Sequence, residues 1–170
     1  MSVFITEELI NKLITCQKVI EKSERKNMQI ENRSFRNNIF LFSKDKKYTF
    51  TIFLRKSCVF EEDFSVGLKW TNADKYIDIH KDIILFRCQG PHDTKSPLDM
   101  DTHHSYHTHM ITVKDIEEYR YTKPESKSSC KEFNSFETAI VYFCEKCGII
   151  ELDKFINIKL PTEGMQYELF

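Results

Sequence analysis

Glycine and proline are scarce in this chain of 170 residues, with four of each. So few breakers exclude collagen-like repeats, linker-like chains and disordered ones. They also leave no Gly-rich loop to cradle the phosphates of a nucleotide. Long apolar runs are missing too: the longest, Ala139–Cys144, has six residues, where a bilayer needs about 20. Met1-Ser2-Val3-Phe4 leads straight into Thr6-Glu7-Glu8, so neither a membrane span nor a secretion signal is expected. Without an export signal, the six cysteines are expected to be reduced thiols in a cytoplasmic protein rather than three disulfides. No nucleophile elbow is present, which removes Ser-His-Asp catalysis.

Aromatic residues are plentiful: 14 Phe, 7 Tyr and one Trp. A chain of this length buries about 70% of its unfolded surface, so one domain spanning 1–170 is expected without covalent staples. Thr6 followed by Glu7 and Glu8 reads as a helix N-cap with an acidic first turn, and Leu9, Ile10, Leu13, Ile14, Cys16 and Ile20 recur at helical spacing. The pattern predicts a helix over 6–22. From there the period changes to two. Ile39–Phe42 and Tyr48–Arg55 flank Ser43-Lys44-Asp45-Lys46-Lys47, which predicts a hairpin. Further strands are expected at 28–33, 64–70, 76–79, 83–88 and 106–113. Their short connections require antiparallel pairing. Asn134 and Glu137 form a possible capping box for a second helix near 135–147, ended by Gly148 in left-handed geometry. Residues 122–131 read as an exposed loop, and the apolar tail after Gly148 is expected to pack back. The expected fold is therefore α+β, an antiparallel sheet of six or seven strands with an N-terminal and a second helix.

Charge is uneven along the chain, with 12 Lys/Arg against 6 Asp/Glu in residues 1–60 and 13 against 20 in residues 61–170. Such asymmetry suits a phosphate-bearing ligand or an acidic protein partner, although an uneven solvated surface has the same pattern. Lys44, Lys46 and Lys47 beside Tyr48, with Arg55 on the same hairpin, are the candidate nucleic-acid contacts. Cys144-Glu145-Lys146-Cys147 lacks the second ligand pair of a zinc site and stands at the end of a helix rather than its start, so packed thiols are expected.

The strongest anomaly is histidine. Five of six fall within 92–109: His92, His103, His104, His107 and His109, with Asp93, Asp99 and Asp101 among them. His107 and His109 are two apart on an expected strand and share a face. Three chemistries fit. In acid–base cleavage of RNA, one His takes the 2′-hydroxyl proton and another protonates the leaving 5′-oxygen, with Arg87 stabilising the phosphoryl charge. A metal centre would use His107 and His109 with His92 or Asp101 to hold Zn, Fe or Mn. The third role is structural, with backbone-bonded or solvated imidazoles.

Phe86-Arg87-Cys88-Gln89-Gly90-Pro91-His92, followed by His107-Thr108-His109, resembles the Arg…Pro-His…His-x-His stretch of TumE-like toxins and of a related bacterial domain family. The likeness covers about residues 80–115. The toxin pattern has His-His-x-His, whereas here His103-His104 precedes Ser105-Tyr106-His107. The resemblance implies a small α+β protein encoded near an antitoxin or in mobile elements, with RNA-directed toxicity. The leading expectation is thus a cofactor-free, toxin-like ribonuclease using His92, His107, His109 and Arg87, with RNA and a cognate antitoxin as partners. The alternative is a non-catalytic inhibitor, such as a phage-encoded antagonist of a host defence complex.

Overall fold

A computed structural model of the chain describes residues 4–92 and 105–159. Its eight strands are β1 (Lys18–Ser23), β2 (Gln29–Glu31), β3 (Ser34–Ser43), β4 (Thr49–Ser57), β5 (Phe64–Trp70), β6 (Ile83–Gln89), β7 (His107–Met110) and β8 (Lys127–Ser129). They join in one sheet in the order β1-β3-β4-β5-β6-β7-β8, and β2 pairs with the free half of the β3 edge that β1 leaves. Every strand pair is antiparallel. Among the described residues there are three α-helices, α1 (Glu7–Thr15), α2 (Val113–Glu117) and α3 (Phe136–Lys146). The expected α+β architecture holds.

Alternation divides the sheet into two faces. Ile39, Ile52, Leu68 and Phe86 form one row through the register and are buried on the helical side, where Phe86 stacks on Phe143 of α3 at 6.1 Å. The residues between them, Asn38, Phe53, Gly67 and Arg87, line up on the other side. The apolar run Ile83–Phe86 does not alternate because the β5–β6 register slips between Leu68 and Lys69, leaving Leu85 as the extra residue. This bulge aims Arg87 away from the helices.

The hairpin at 34–57 has its turn where the sequence puts it. The first helix, however, ends at Thr15, and residues 18–23 are β1 rather than more helix. Val19 and Ile20 are β-branched and gain Phe42 and Leu41 of β3 as partners. Lys18 then turns its buried ammonium back to donate to the carbonyls of Ile14 (2.7 Å), Cys16 (2.9 Å) and Cys147 (2.8 Å), satisfying the C-termini of α1 and α3 together. Residues 76–79 are not a strand: a 3₁₀ turn at Ala73–Lys75 precedes them, and Tyr76 folds back to donate from its hydroxyl to Lys47 O at 2.6 Å. The strand expected over 106–113 closes at Met110 because Thr112 and Asp115 form a capping box that starts α2. Within the expected loop 122–131, Lys127–Ser129 pair with β7. The cap of α3 is Ser135 with Thr138, one residue past the expected pair. Gly148 has φ 65°, as anticipated, and Ile149, Leu152 and Ile156 of the tail are buried.

All six cysteines are free thiols. Burial pushes both Cys144 and Cys147 up to about 12, so the C-x-x-C pair consists of packed, protonated thiols. No helix among the described residues is long and apolar enough to cross a membrane.

Candidate functional site

The register of β6 against β7 sets Arg87 opposite His109 and Gln89 opposite His107, all on the face turned away from the helices. One row across the sheet therefore reads Asn38, Phe53, Gly67, Arg87, His109, Lys127. The next reads Arg36, Arg55, Ser65, Gln89, His107, Ser129. The His107 and His109 rings lie 5.1 Å apart, centroid to centroid.

His92 joins them from outside the strands. Its ring is 5.3 Å from that of His107. Gly90 makes this possible: a Cβ there would stand 1.7 Å from the carbonyl oxygen of Glu62, so only glycine lets the end of β6 press against the turn between β4 and β5. Gly90 N–H also donates to Phe64 O at 3.1 Å. The chain leaves β6 along this path, and Pro91-His92 is delivered beside β7.

His107 is fully buried and His109 nearly so, while His92 is half-buried. His107 Nδ1 lies 2.8 Å from Ser105 O. A carbonyl can only accept, so Nδ1 carries the hydrogen in the neutral ring and Nε2 carries the lone pair. That tautomer suits a general base or a metal ligand. Among the described residues no group of three His, Cys, Asp and Glu has metal-ligating geometry. Asp93, Asp99, Asp101, His103 and His104 lie outside them.

Arg87 is half-buried, and its Nε has no hydrogen-bond partner among the described residues. Burial lowers its pKa and the nearby Arg55 charge adds to the effect, yet a guanidinium stays protonated in any working range. It is a desolvated cation without a carboxylate among the described residues. Arg55 shares this half of the face, but its charge is engaged by Asp63 at 2.5 Å, and Ser34 accepts from it at 3.3 Å. Lys44, Lys46 and Lys47 are exposed in the β3–β4 turn, at the opposite end of the strands from Arg55. Six residues of extended chain separate Thr49 from Arg55, about 20 Å, so these lysines do not share the histidine site.

Sequence reasoning missed the neighbours of Arg87. An open depression of about 740 Å³ lies on the same face, lined among others by Arg36, Asn38, Phe53, Lys69, Arg87 and Tyr121. Phe53 was a legible signal, being an aromatic residue on the polar side of the alternation in β4. No protein-family model, curated protein or solved structure matches this chain.

Proposed function

We propose that the protein is a toxin-like ribonuclease that cleaves RNA by histidine acid–base chemistry. The observation that supports it best is the meeting of His92, His107 and His109, with ring centroids 5.3 and 5.1 Å apart, beside the desolvated Arg87. An inhibitor that recognises a protein has no need for three imidazoles and an unneutralised guanidinium at one place. The likeness to TumE-like toxins over 80–115 points the same way.

In this reading the Nε2 lone pair of His107 takes the proton from the ribose 2′-hydroxyl. The 2′-oxygen attacks phosphorus, the P–O5′ bond breaks, and His92, the more accessible imidazole, gives its proton to the departing 5′-oxygen. The products are a 2′,3′-cyclic phosphate and a 5′-hydroxyl. Arg87 faces the phosphoryl oxygens as their charge grows, and His109 orients His107 and Arg87 between the strands. The substrate puts the protein in the cytoplasm, where the six thiols also stay reduced. A cognate antitoxin would act by covering this face.

The test is cleavage of a labelled RNA across pH, with and without chelator. Wild-type protein is expected to cut in chelator, with a rate that falls on both sides of neutrality because one imidazole must be neutral and another protonated. His92→Ala and His107→Gln are each expected to cost about 100-fold or more. RNA left intact under every condition, together with His variants that keep their effect on cell growth, sinks the reading in favour of the partner-binding inhibitor.

A further inference from the structure

Phe53 lies where a side chain of β5 would otherwise stand. A Cβ built on Gly67 would be 2.1 Å from Phe53 Cζ and 2.2 Å from Cε1, so the ring reaches across the neighbouring strand only because residue 67 has no side chain. Phe53 is only half-buried there, and the depression of about 740 Å³ opens above it. Lys69 Nζ stands 5.8 Å from the ring centroid. Arg36 and Arg87 line the same depression, and like Lys69 they have no carboxylate partner among the described residues. Of the acidic residues on the rim, Glu31 and Glu24 are held by Arg25 at 2.5 and 3.6 Å, and Asp82 has no cation partner among the described residues.

A half-buried aromatic ring lining an open depression, with Lys69 over the ring and further unpaired cations around it, is a combination suited to single-stranded nucleic acid: bases stack, phosphates meet positive charge, and no base identity is required. A duplex cannot use it, because its bases are already stacked. We infer that the face spanning β3 to β6 is a platform for single-stranded RNA, with a base stacked on Phe53 and the flanking phosphates on Lys69, Arg36 and Arg87. The inference rests on the ribonuclease reading for its substrate class and adds where the strand lies. Gly67, Arg87 and His109 follow one another along a single row. Two strand spacings, about 10 Å, thus separate the ring over Gly67 from His109. A nucleotide stacked on Phe53 presents its next phosphodiester to Arg87 and then to the histidines. The platform sets the register of cleavage, and Arg87 belongs to both regions.

The experiment separates binding from cleavage by using a fluorescein-labelled 2′-O-methyl oligonucleotide, single-stranded and without the hydroxyl that cleavage needs. Fluorescence anisotropy is expected to show binding that weakens with salt. Phe53→Leu keeps the apolar contact with Gly67 but removes the ring, and should weaken binding roughly 5- to 100-fold. Lys69→Gln should lower the slope of log K against log salt by about 0.7. Lys12→Gln, on α1 on the other side of the sheet, should change neither. A duplex of the same sequence should bind more weakly than the single strand. If the oligonucleotide does not bind, or binds with an affinity and salt slope indifferent to both Phe53→Leu and Lys69→Gln, the platform is wrong, even should RNA cleavage persist. Binding that responds to both variants while unmodified RNA stays intact leaves the platform standing and removes the catalytic reading instead.

Discussion

The two faces of this sheet are built from alternate residues of the same strands, yet they obey opposite rules. On the helical side Ile39, Ile52, Leu68 and Trp70 are wholly buried, with α3 packed on β5 and β6 and α1 on β6. On the other side Arg36 is directly opposite Arg55, and Arg87 is half-buried without a carboxylate among the described residues. Like charges paired across strands and partly desolvated cations both cost stability. One face therefore supplies most of the folding free energy, and the other gives part of it up by holding like charges close together. The cysteines follow the same division, since Cys88 and Cys147 are buried in the helical-side core and Cys58 is exposed near the far end of β4.

The largest losses of stability are expected on the helical side. Trp70→Ala should cost about 3–5 kcal/mol in urea denaturation, because a fully buried ring leaves a cavity and the indole N–H that donates to Asn72 Oδ1 at 2.9 Å is lost with it. Lys18→Met comes next. It removes three donors from carbonyls at the ends of two helices, and a loss of about 2–4 kcal/mol is expected. A small effect there would show that water replaces the ammonium.

Asp115 is a buried carboxylate in the first turn of α2. Burial alone would raise its pKa, but donation from Glu125 N–H, from Thr112 and from Arg120 outweighs burial and holds the carboxyl below its ordinary value. A group depressed in the folded state stabilises above its unfolded pKa, and that contribution is lost as pH falls through the lower, folded value. Stability should therefore decline below about pH 4. Asp115→Asn should cost about 1–3 kcal/mol at neutral pH and flatten the acid limb. The same measurements on Asp115→Asn should show weaker oligonucleotide binding, since the Arg120–Asp115 pair anchors the segment that carries Tyr121.

The smallest effect on stability is expected at Phe53. Its ring is half-buried against a glycine, so Phe53→Ala should cost only about 1 kcal/mol, while being among the most damaging changes for nucleic-acid binding. A loss as large as that of Trp70→Ala would make Phe53 a core residue and the open face a second core. Thiol labelling gives an independent check: exposed Cys58 should react fastest in the native protein, half-buried Cys144, whose thiol is pushed up to about 12, far more slowly, and buried Cys147 only after unfolding.

Local pattern by itself determined the hairpin with strands at 39–42 and 48–55, the helix near 135–147, and the placing of His107 and His109 on one face, because periods of two and 3.6 are properties of the chain within a few residues. The same rule misread residues 18–23. Their apolar spacing continues that of α1, and what ends the helix is non-local, namely the β3 edge and the Cys147 carbonyl that Lys18 reaches. The site divides in the same way. That Arg87 and His92 stand near the histidines in sequence was legible, but that Arg87 faces His109 depends on the β6–β7 register and the bulge at Leu85, and that His92 meets His107 depends on Gly90 lying against Glu62. Phe53 over Gly67 is the extreme case, since neither residue signals the other until β4 and β5 are in register. Register is decided by burial summed over a whole sheet, so a single strand does not contain it.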